Sequence, residues 1–476
     1  MRRQISIPLA ALAGIPLIAS PALASPALAS PALASPALAS PALASPALAS
    51  PASGSTINVD RGGHARTVKF TARHDGEAFI HFKASAPGVS WATPFKESAI
   101  VSISVDGRRV TDLLVPTSSP IDRSLALGSV RRGKHKVTFT FTRGNVARVK
   151  LARTRVTESN DPAMRYAPIV VGRSLPDPNQ NAYTDAPLIA WHETLPATTP
   201  GHKFYEYSVV WSNEDGGTDT PALMARWGRT TDIEWIYRVE VDAKGRRVDS
   251  GVYQAANHQT LKFSGKYQGT HPILQTCTLN NNMCDQVGNE SLRFFLDSTP
   301  GKPADRAREV VMDRQPWTYQ IMAQEMIREG KIENPSSPAT EAVGDQRTYL
   351  FIEFAKTTGA PTGTGSGPGV ALGIKLKNDA TLYRSDHDQP TWSIERDIPA
   401  ATTVELPAGK TTADIESITA IRRPLGTGDN GAPSTVTSIN RGFFLDKNYL
   451  PTPSTLTWQG SVTLTPQSPT AVLWHS

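Results

Sequence analysis

A chain of 476 residues, 39% hydrophobic and 19% charged, has room for two or three domains with buried cores. With a net charge of +6, this is the composition of a soluble globular protein rather than a disordered or membrane-embedded one. The 35 glycines, 38 prolines and many short Thr/Val-rich runs favour β structure.

The first residues read as a targeting segment, 1–24. Arg2 and Arg3 precede an apolar run, Ile5–Ile18, and the small residues Ala22-Leu23-Ala24 before Ser25 fit an export cleavage site. The run is short and broken by Pro8 and Pro16, which argues against a transmembrane helix. The expected location is therefore extracellular or periplasmic. A strict Ser-Pro-Ala-Leu-Ala repeat then begins at Ser20 and recurs to Ser45; a proline every fifth residue forbids a regular helix and predicts an extended tether over 25–56. Each copy regenerates a cleavage site, and a slipped repeat in the signal tail explains it as well as a functional spacer does.

Residues 57–157 are predicted to form a basic β-sandwich module. Val101, Ile103 and Val105 alternate with serines before an Asp106-Gly107 turn, and Val137, Phe139 and Phe141 alternate with threonines. The run Gly133-Lys134-His135-Lys136-Val137 resembles the late strand of jelly-roll, carbohydrate-binding-type modules. Between Asp60 and Val156 there are 18 Lys and Arg against 7 Asp and Glu, whereas from Glu158 onward there are 29 against 36. A basic module on an exported chain suits an anionic partner: acidic glycan, a cell-surface polymer or lipid headgroups. A merely solvated basic face is the alternative. Nothing resembles a helix-turn-helix, zinc-finger or aromatic RNA-binding signature, so no specific nucleic-acid partner is expected.

The remaining stretch, 158–476, is predicted as a larger β-sandwich domain with one inserted helix. Tyr205, Tyr207, Val209 and Trp211 fall on one face of a strand, and an acidic Gly-rich turn, 213–219, follows. In the next strand Ile233, Trp235, Tyr237, Val239 and Val241 share one face and Asp232, Glu234, Ile236, Arg238, Glu240 and Asp242 the other. The helix is expected near 316–329, opened by Pro316 and closed by Gly330, with Trp317, Ile321, Met322 and Met326 apolar. From Thr348 the chain returns to β runs; the Gly-rich 359–369 loop lacks the Lys-Ser/Thr ending of a phosphate loop.

Cys277 and Cys284 are the only cysteines, and in an exported protein they pair most simply as a disulfide. Asp232 and Glu234 lie two residues apart on one strand, with α-carbons roughly 6–7 Å apart. They can share a divalent cation or act as an acid/base pair. Arg238 and Glu240 on the same predicted face supply the alternative of a solvated, charge-alternating strand. His258 and His271 are candidate partners as base or ligand, although each also suits a surface or capping role. Glu214, Asp215 and Asp219 could add carboxylates to a calcium or other divalent site. Asp386-His387-Asp388 makes a further cluster, followed by Trp392, Arg396 and Asp397. No serine-hydrolase, zincin or Cys/His protease motif is present.

The order Tyr166-Ala167-Pro168, a Tyr/Trp strand, Gly228, then Asp232-Ile233-Glu234-Trp235, His258 and Gly269-Thr270-His271-Pro272 resembles the vacuolar protein sorting-associated protein 62-like family over about 166–276. More distantly, Gly228-Arg229-Thr230-Thr231-Asp232-Ile233-Glu234 is similar to the Gly-His-Arg-His-Asp-Trp-Glu segment of necrosis-and-ethylene-inducing-peptide-like cytolysins. That segment binds a divalent metal on a β-sandwich and supports attack on sphingolipid membranes. Here Gly228, Asp232 and Glu234 are kept, Arg229 and Thr231 stand at the two His positions, and Ile233 replaces Trp. The resemblance implies a β-sandwich with its site at one end. Taken together, the sequence points to a secreted glycan- or surface-binding protein with a carboxylate/His site. The alternatives are a secreted glycan hydrolase working through Asp232 and Glu234, and a purely structural role.

Overall fold

Side chains that alternate apolar and polar can bury one face of a sheet and hydrate the other. In the computed structural model, which describes residues 56–173, 183–214, 219–303 and 305–476, these alternations form six sheets packed as three face-to-face pairs. The fold is mainly β, as expected. All described residues belong to one unit of the chain, Leu48–Ser476. The predicted signal segment and, apart from Thr56, the repeat tether lie outside the described residues.

The first sandwich pairs two four-stranded antiparallel sheets. One runs in the order Ile57–Asp60, Arg148–Ser159, Gly76–Ser85, Ile121–Val130; the other Arg66–Ala72, Gly133–Arg143, Ala99–Val105, Arg108–Val115. Ile80 and Phe82 from one sheet meet Val101, Ile103, Val137 and Phe139 from the other. Asp106-Gly107 makes the hairpin turn the sequence announces, with φ of 49° and 84°.

The stretch 158–476 holds two further sandwiches rather than a single pair of sheets. In the second, the five-stranded sheet Pro187–Pro196, Lys203–Trp211, Ile233–Val241, Val252–Ala255, Gln259–Lys262 covers a smaller mixed sheet built around His271–Thr276 and Ile169–Val171, which run parallel. The third pairs the sheets centred on Tyr349–Thr358 with Ser434–Phe443 and on Pro368–Leu376 with Ile415–Pro424.

Among the described residues two α-helices sit between these layers. Helix α1, Thr220–Trp227, was not legible as a helix in the sequence; Pro221 occupies its first turn and Gly228 caps it at φ 61°. A Cβ at Gly228 would lie 3.1 Å from Ala401 and from the Thr402 nitrogen, so a larger residue here would press on the third sandwich. Helix α2, Trp317–Arg328, is the expected one. Its Trp317 and Ile321 complete the first core, while Tyr319, Met322 and Met326 enter a separate cluster with Trp191, Ile233, Phe351 and Phe443.

The polar residue on α2 does more than its apolar ones. Glu325 is fully buried and accepts hydrogen bonds from Trp91 Nε1 of the first sandwich, from Asn213 Nδ2 of the second at 3.2 Å, and from Arg328 on its own helix. Burial pushes its carboxyl up to about 8 despite the Arg328 charge. Replacing Glu325 with Ala removes the acceptor of the buried Trp91 indole N–H, while Asn213 and Arg328 keep Glu329. We expect the substitution to cost about 1–3 kcal/mol in urea unfolding.

Candidate functional site

The strand that carries Asp232 and Glu234 is interrupted by a bulge. Tyr207 faces Tyr237 and Ser208 faces Trp235, so Ile236 is an extra residue on Ile233–Val241. The alternation therefore changes phase. Ile236, Tyr237, Val239 and Val241 fill the second core, while Ile233 packs on the opposite side with Met224 and Tyr319. This corrects the predicted faces in part: Asp232, Glu234 and Ile236 share a side as expected, but beyond the bulge Tyr237, Val239 and Val241 lie on that inward side with them. Arg238 and Glu240 instead lie on the outer side, paired with Glu206 and with His202 at 2.8 Å. The solvated-strand alternative thus applies to Arg238 and Glu240 and not to the two carboxylates.

Each inward carboxylate has an amide partner. Asp232 Oδ2 accepts from Asn281 Nδ2 at 2.9 Å, and Glu234 Oε2 from Gln254 Nε2 at 2.8 Å. Asn281 also donates to the Asn213 carbonyl at 3.0 Å and accepts from Arg173 at 2.6 Å. It adopts φ 48°, a left-handed conformation that asparagine tolerates, inside the loop closed by the Cys277–Cys284 disulfide. That disulfide is formed as predicted. Its other neighbour, Asn280, reaches His258 Nε2 at 3.2 Å, and His258 Nδ1 meets Gln254 at 2.6 Å and lies 3.9 Å from Glu234. One short loop therefore touches both halves of the site.

Burial and mutual repulsion set the electrostatics. Asp232 is 1% exposed, and burial followed by the Glu234 charge pushes its carboxyl up to about 7. Glu214 is pushed up to about 8 by burial and then by Asp232, and Glu234 is raised chiefly by burial. Arginines oppose this: Arg229 sits 3.9 Å from Glu214 and 3.4 Å from the buried Glu309, and Arg308 acts on all three carboxyls.

The other expected residues fall elsewhere. His271 is buried at the seam with the first sandwich, where its Nδ1 meets the Ala167 carbonyl at 2.9 Å and its ring packs on Phe295, with Glu77 3.3 Å away. It does not join Asp232 and Glu234. Asp219 is exposed at the start of α1, and Asp215 lies outside the described residues. Among the described residues no group of three or more His, Cys, Asp and Glu side chains is arranged to hold a metal ion. In the third sandwich Asp386 is buried in a two-bond pairing with Arg384, and the His387 ring packs on Trp392.

Sequence reasoning missed Gln254, Asn281 and the arginines. The one available signal was the Asn280-Asn281-Asn282 run in the disulfide loop, since asparagine both accepts left-handed backbone and carries a donor and an acceptor. Arg308 and Arg396 come from segments about 75 and 160 residues away from the strand, beyond any local pattern.

No family model matches the chain, and no curated protein does. Solved structures with partial likeness include a ruminal GH26 endo-beta-1,4-mannanase at 19% identity, covering 24% of this chain and 21% of that one, with a TM-score of 0.17. The sugar-binding C-terminal domain of EclA aligns at 12% identity over 22% of this chain and 79% of its own, TM-score 0.17. A family two carbohydrate esterase from Clostridium thermocellum aligns at 14% over 28% and 41%, TM-score 0.16. The chain spans about a fifth of the mannanase's length. These neighbours are carbohydrate-active or sugar-binding proteins, and at such TM-scores the likeness carries no argument about this chain. Among the described residues no helix is long and apolar enough to cross a membrane.

Carboxyls whose folded pKa lies above the unfolded value favour folding at low pH and lose that contribution as pH rises through the folded value. For Glu214 the window runs from 4.5 to about 8. Glu214→Gln should therefore gain thermal stability relative to the parent as pH goes from 5 to 8.5, by a few degrees in calorimetry. A difference that stays constant across that range would show that Glu214 is not raised.

Proposed function

We propose that this protein is exported and binds acidic cell-surface glycan, docking through the basic face of its first sandwich and presenting the carboxylate/His site of the second to the same polymer. The supporting observation is a lysine pair in register. On the open face of the second sheet Lys69 lies directly opposite Lys136, and Thr71 opposite Lys134. Like charges across a strand pair repel. Among the described residues the first sandwich's ion pairs leave these lysines out; the nearby Asp106 is taken by His135 at 2.6 Å.

Around the sandwich edge, Lys69, Arg73 and Arg155 line a groove of about 350 Å³ with Phe70, Thr157 and Glu158, whose carboxylate is held by the Arg73 and His74 backbone N–H groups. Hydroxyls continue the face, with Thr67 and Thr138 3.3 Å apart. No large apolar side chain is exposed on these two strands. A hydroxylated, cationic face without an apolar anchor suits a polyanionic sugar chain better than a bilayer.

Retention of the full chain on immobilised polygalacturonate, compared with neutral galactan, tests this. The double variant Lys69→Glu, Lys136→Glu should weaken polygalacturonate retention by at least about tenfold at 0.15 M salt. Undiminished retention would rule out this face, and stronger retention on anionic vesicles would assign it to lipid.

The raised carboxyls favour a second reading, glycan hydrolysis. A general acid must keep its proton near neutral pH while a second carboxyl works beside it. Glu234 is the more accessible of the predicted dyad and is the acid in this reading, with Asp232 behind it. Glu234→Gln should then lower release of reducing sugar by about a hundredfold or more. Turnover that survives the substitution eliminates the dyad.

A further inference from the structure

The indole of Trp227, the last residue of α1, is surrounded by arginines. The guanidinium carbon of Arg396 lies 3.9 Å from the ring centroid, that of Arg308 5.5 Å and that of Arg229 5.6 Å. They come from three separate segments: Arg229 from the turn after α1, Arg308 from the 3-10 turn Arg308–Arg314, and Arg396 from the loop before the strand Ala400–Glu405. Arg226, one residue before the tryptophan, adds its charge to the same field.

The third sandwich holds this arrangement in place. Thr402 and Thr403 donate to the Ala225 and Met224 carbonyls at 2.6 and 2.9 Å, which caps the end of α1. Trp227 is thereby fixed at the junction, facing the loop that carries Arg396.

Four carboxyls, Glu214, Asp232, Glu234 and Glu309, act on these arginines, but direct pairing is uneven. Among the described residues only Arg229 of this group makes ion pairs, with Glu309 and Glu214. Arg396 has a single long hydrogen bond, 3.5 Å to the Ala401 carbonyl, and Arg308 has its place on the indole. Burial lowers Arg396 to about 10, with Arg308, Arg229 and Arg226 adding repulsion against the opposing pull of Glu309. Partly buried cations are ordinarily paired, and the planar fork of a guanidinium is suited to gripping an oxyanion through parallel hydrogen bonds.

We infer that Arg308 and Arg396, set against the Trp227 indole near Glu214 and Glu234, form a binding site for the acidic substituent of a sugar unit. The inference rests on the glycan reading above and names its substrate class: sugars bearing a carboxylate or an ester oxyanion. It also gives the two halves of the site separate tasks. The arginines hold the anionic group, and the neighbouring carboxyls and His258 face the remainder of the sugar.

Titration of the full chain with tri-galacturonate, followed by tryptophan fluorescence and calorimetry, tests the site, with the tri-galacturonate methyl ester as the uncharged probe. We expect saturable binding of the acid, at least about tenfold weaker binding of the ester, and a comparable loss in Arg396→Gln and in Arg308→Gln. Arg396→Lys keeps the charge and loses the planar fork, and should also bind more weakly while melting within a few degrees of the parent. Competition by inorganic sulfate would extend the class to ester oxyanions; its absence would restrict it to carboxylates. Equal binding of acid and ester overturns the inference. So does tri-galacturonate binding that survives both glutamine variants, or that disappears only in Lys69→Glu, Lys136→Glu. Polymer retention that fails while trimer binding persists overturns the docking reading instead, so the two failures are distinguishable.

Discussion

A buried carboxyl on helix α2 bonds both the first and the second sandwich, beside direct ties such as Arg123 to the Leu188 carbonyl and the Arg293 N–H to Asp112. Glu325 takes hydrogen bonds from Trp91 of the first sandwich, Asn213 of the second and Arg328 of its own helix. Apolar contacts between layers are tolerant of sliding, because dispersion and hydrophobic burial have little directionality. Hydrogen bonds to one fully buried acceptor are not tolerant, and they fix where α2 sits. Asn213 in turn offers its carbonyl to Asn281, the residue that holds Asp232. The position of the candidate site is thus connected, through two asparagines, to the joint between the first two sandwiches.

Most of the fold was legible because strands report themselves locally. The Val101/Ile103 and Val137/Phe139 alternations and the Asp106-Gly107 turn are short-range features whose physics is complete within ten residues. Helix α2 was legible for the same reason, from Pro316 to its apolar stripe. Helix α1 was not, since eight residues bounded by a proline and a glycine resemble a loop, and its stability comes from Thr402 and Thr403 far along the chain. The split of 158–476 into two sandwiches was hidden likewise, because both halves have the same strand-like texture.

The candidate site was legible only in its strand. Asp232 and Glu234 announced themselves by spacing, but the bulge at Ile236, which turns Arg238 away from them, depends on pairing with Tyr207 and Ser208 and leaves no mark in the pattern. His258 came close to Glu234 as expected, whereas His271, equally plausible by sequence, is occupied at a seam between sandwiches. The surrounding arginines create the opposing influences that matter most: burial draws protons onto Glu214, Asp232 and Glu234, and the guanidinium charges repel them. Groups held between such influences respond strongly to any charge that arrives nearby.

The disulfide loop gives this arrangement a dependence on redox history. Asn280 and Asn281 reach His258 and Asp232 from a segment only eight residues long, whose ends are fastened by Cys277 and Cys284. With both thiols reduced, that segment loses its closure and the two asparagines lose the restraint that presents them. Closure of the loop by one cysteine pair therefore bears on the groups around the carboxylates as well as on the backbone. A chain still in a reducing compartment would carry every residue of the site without the fastening that assembles them.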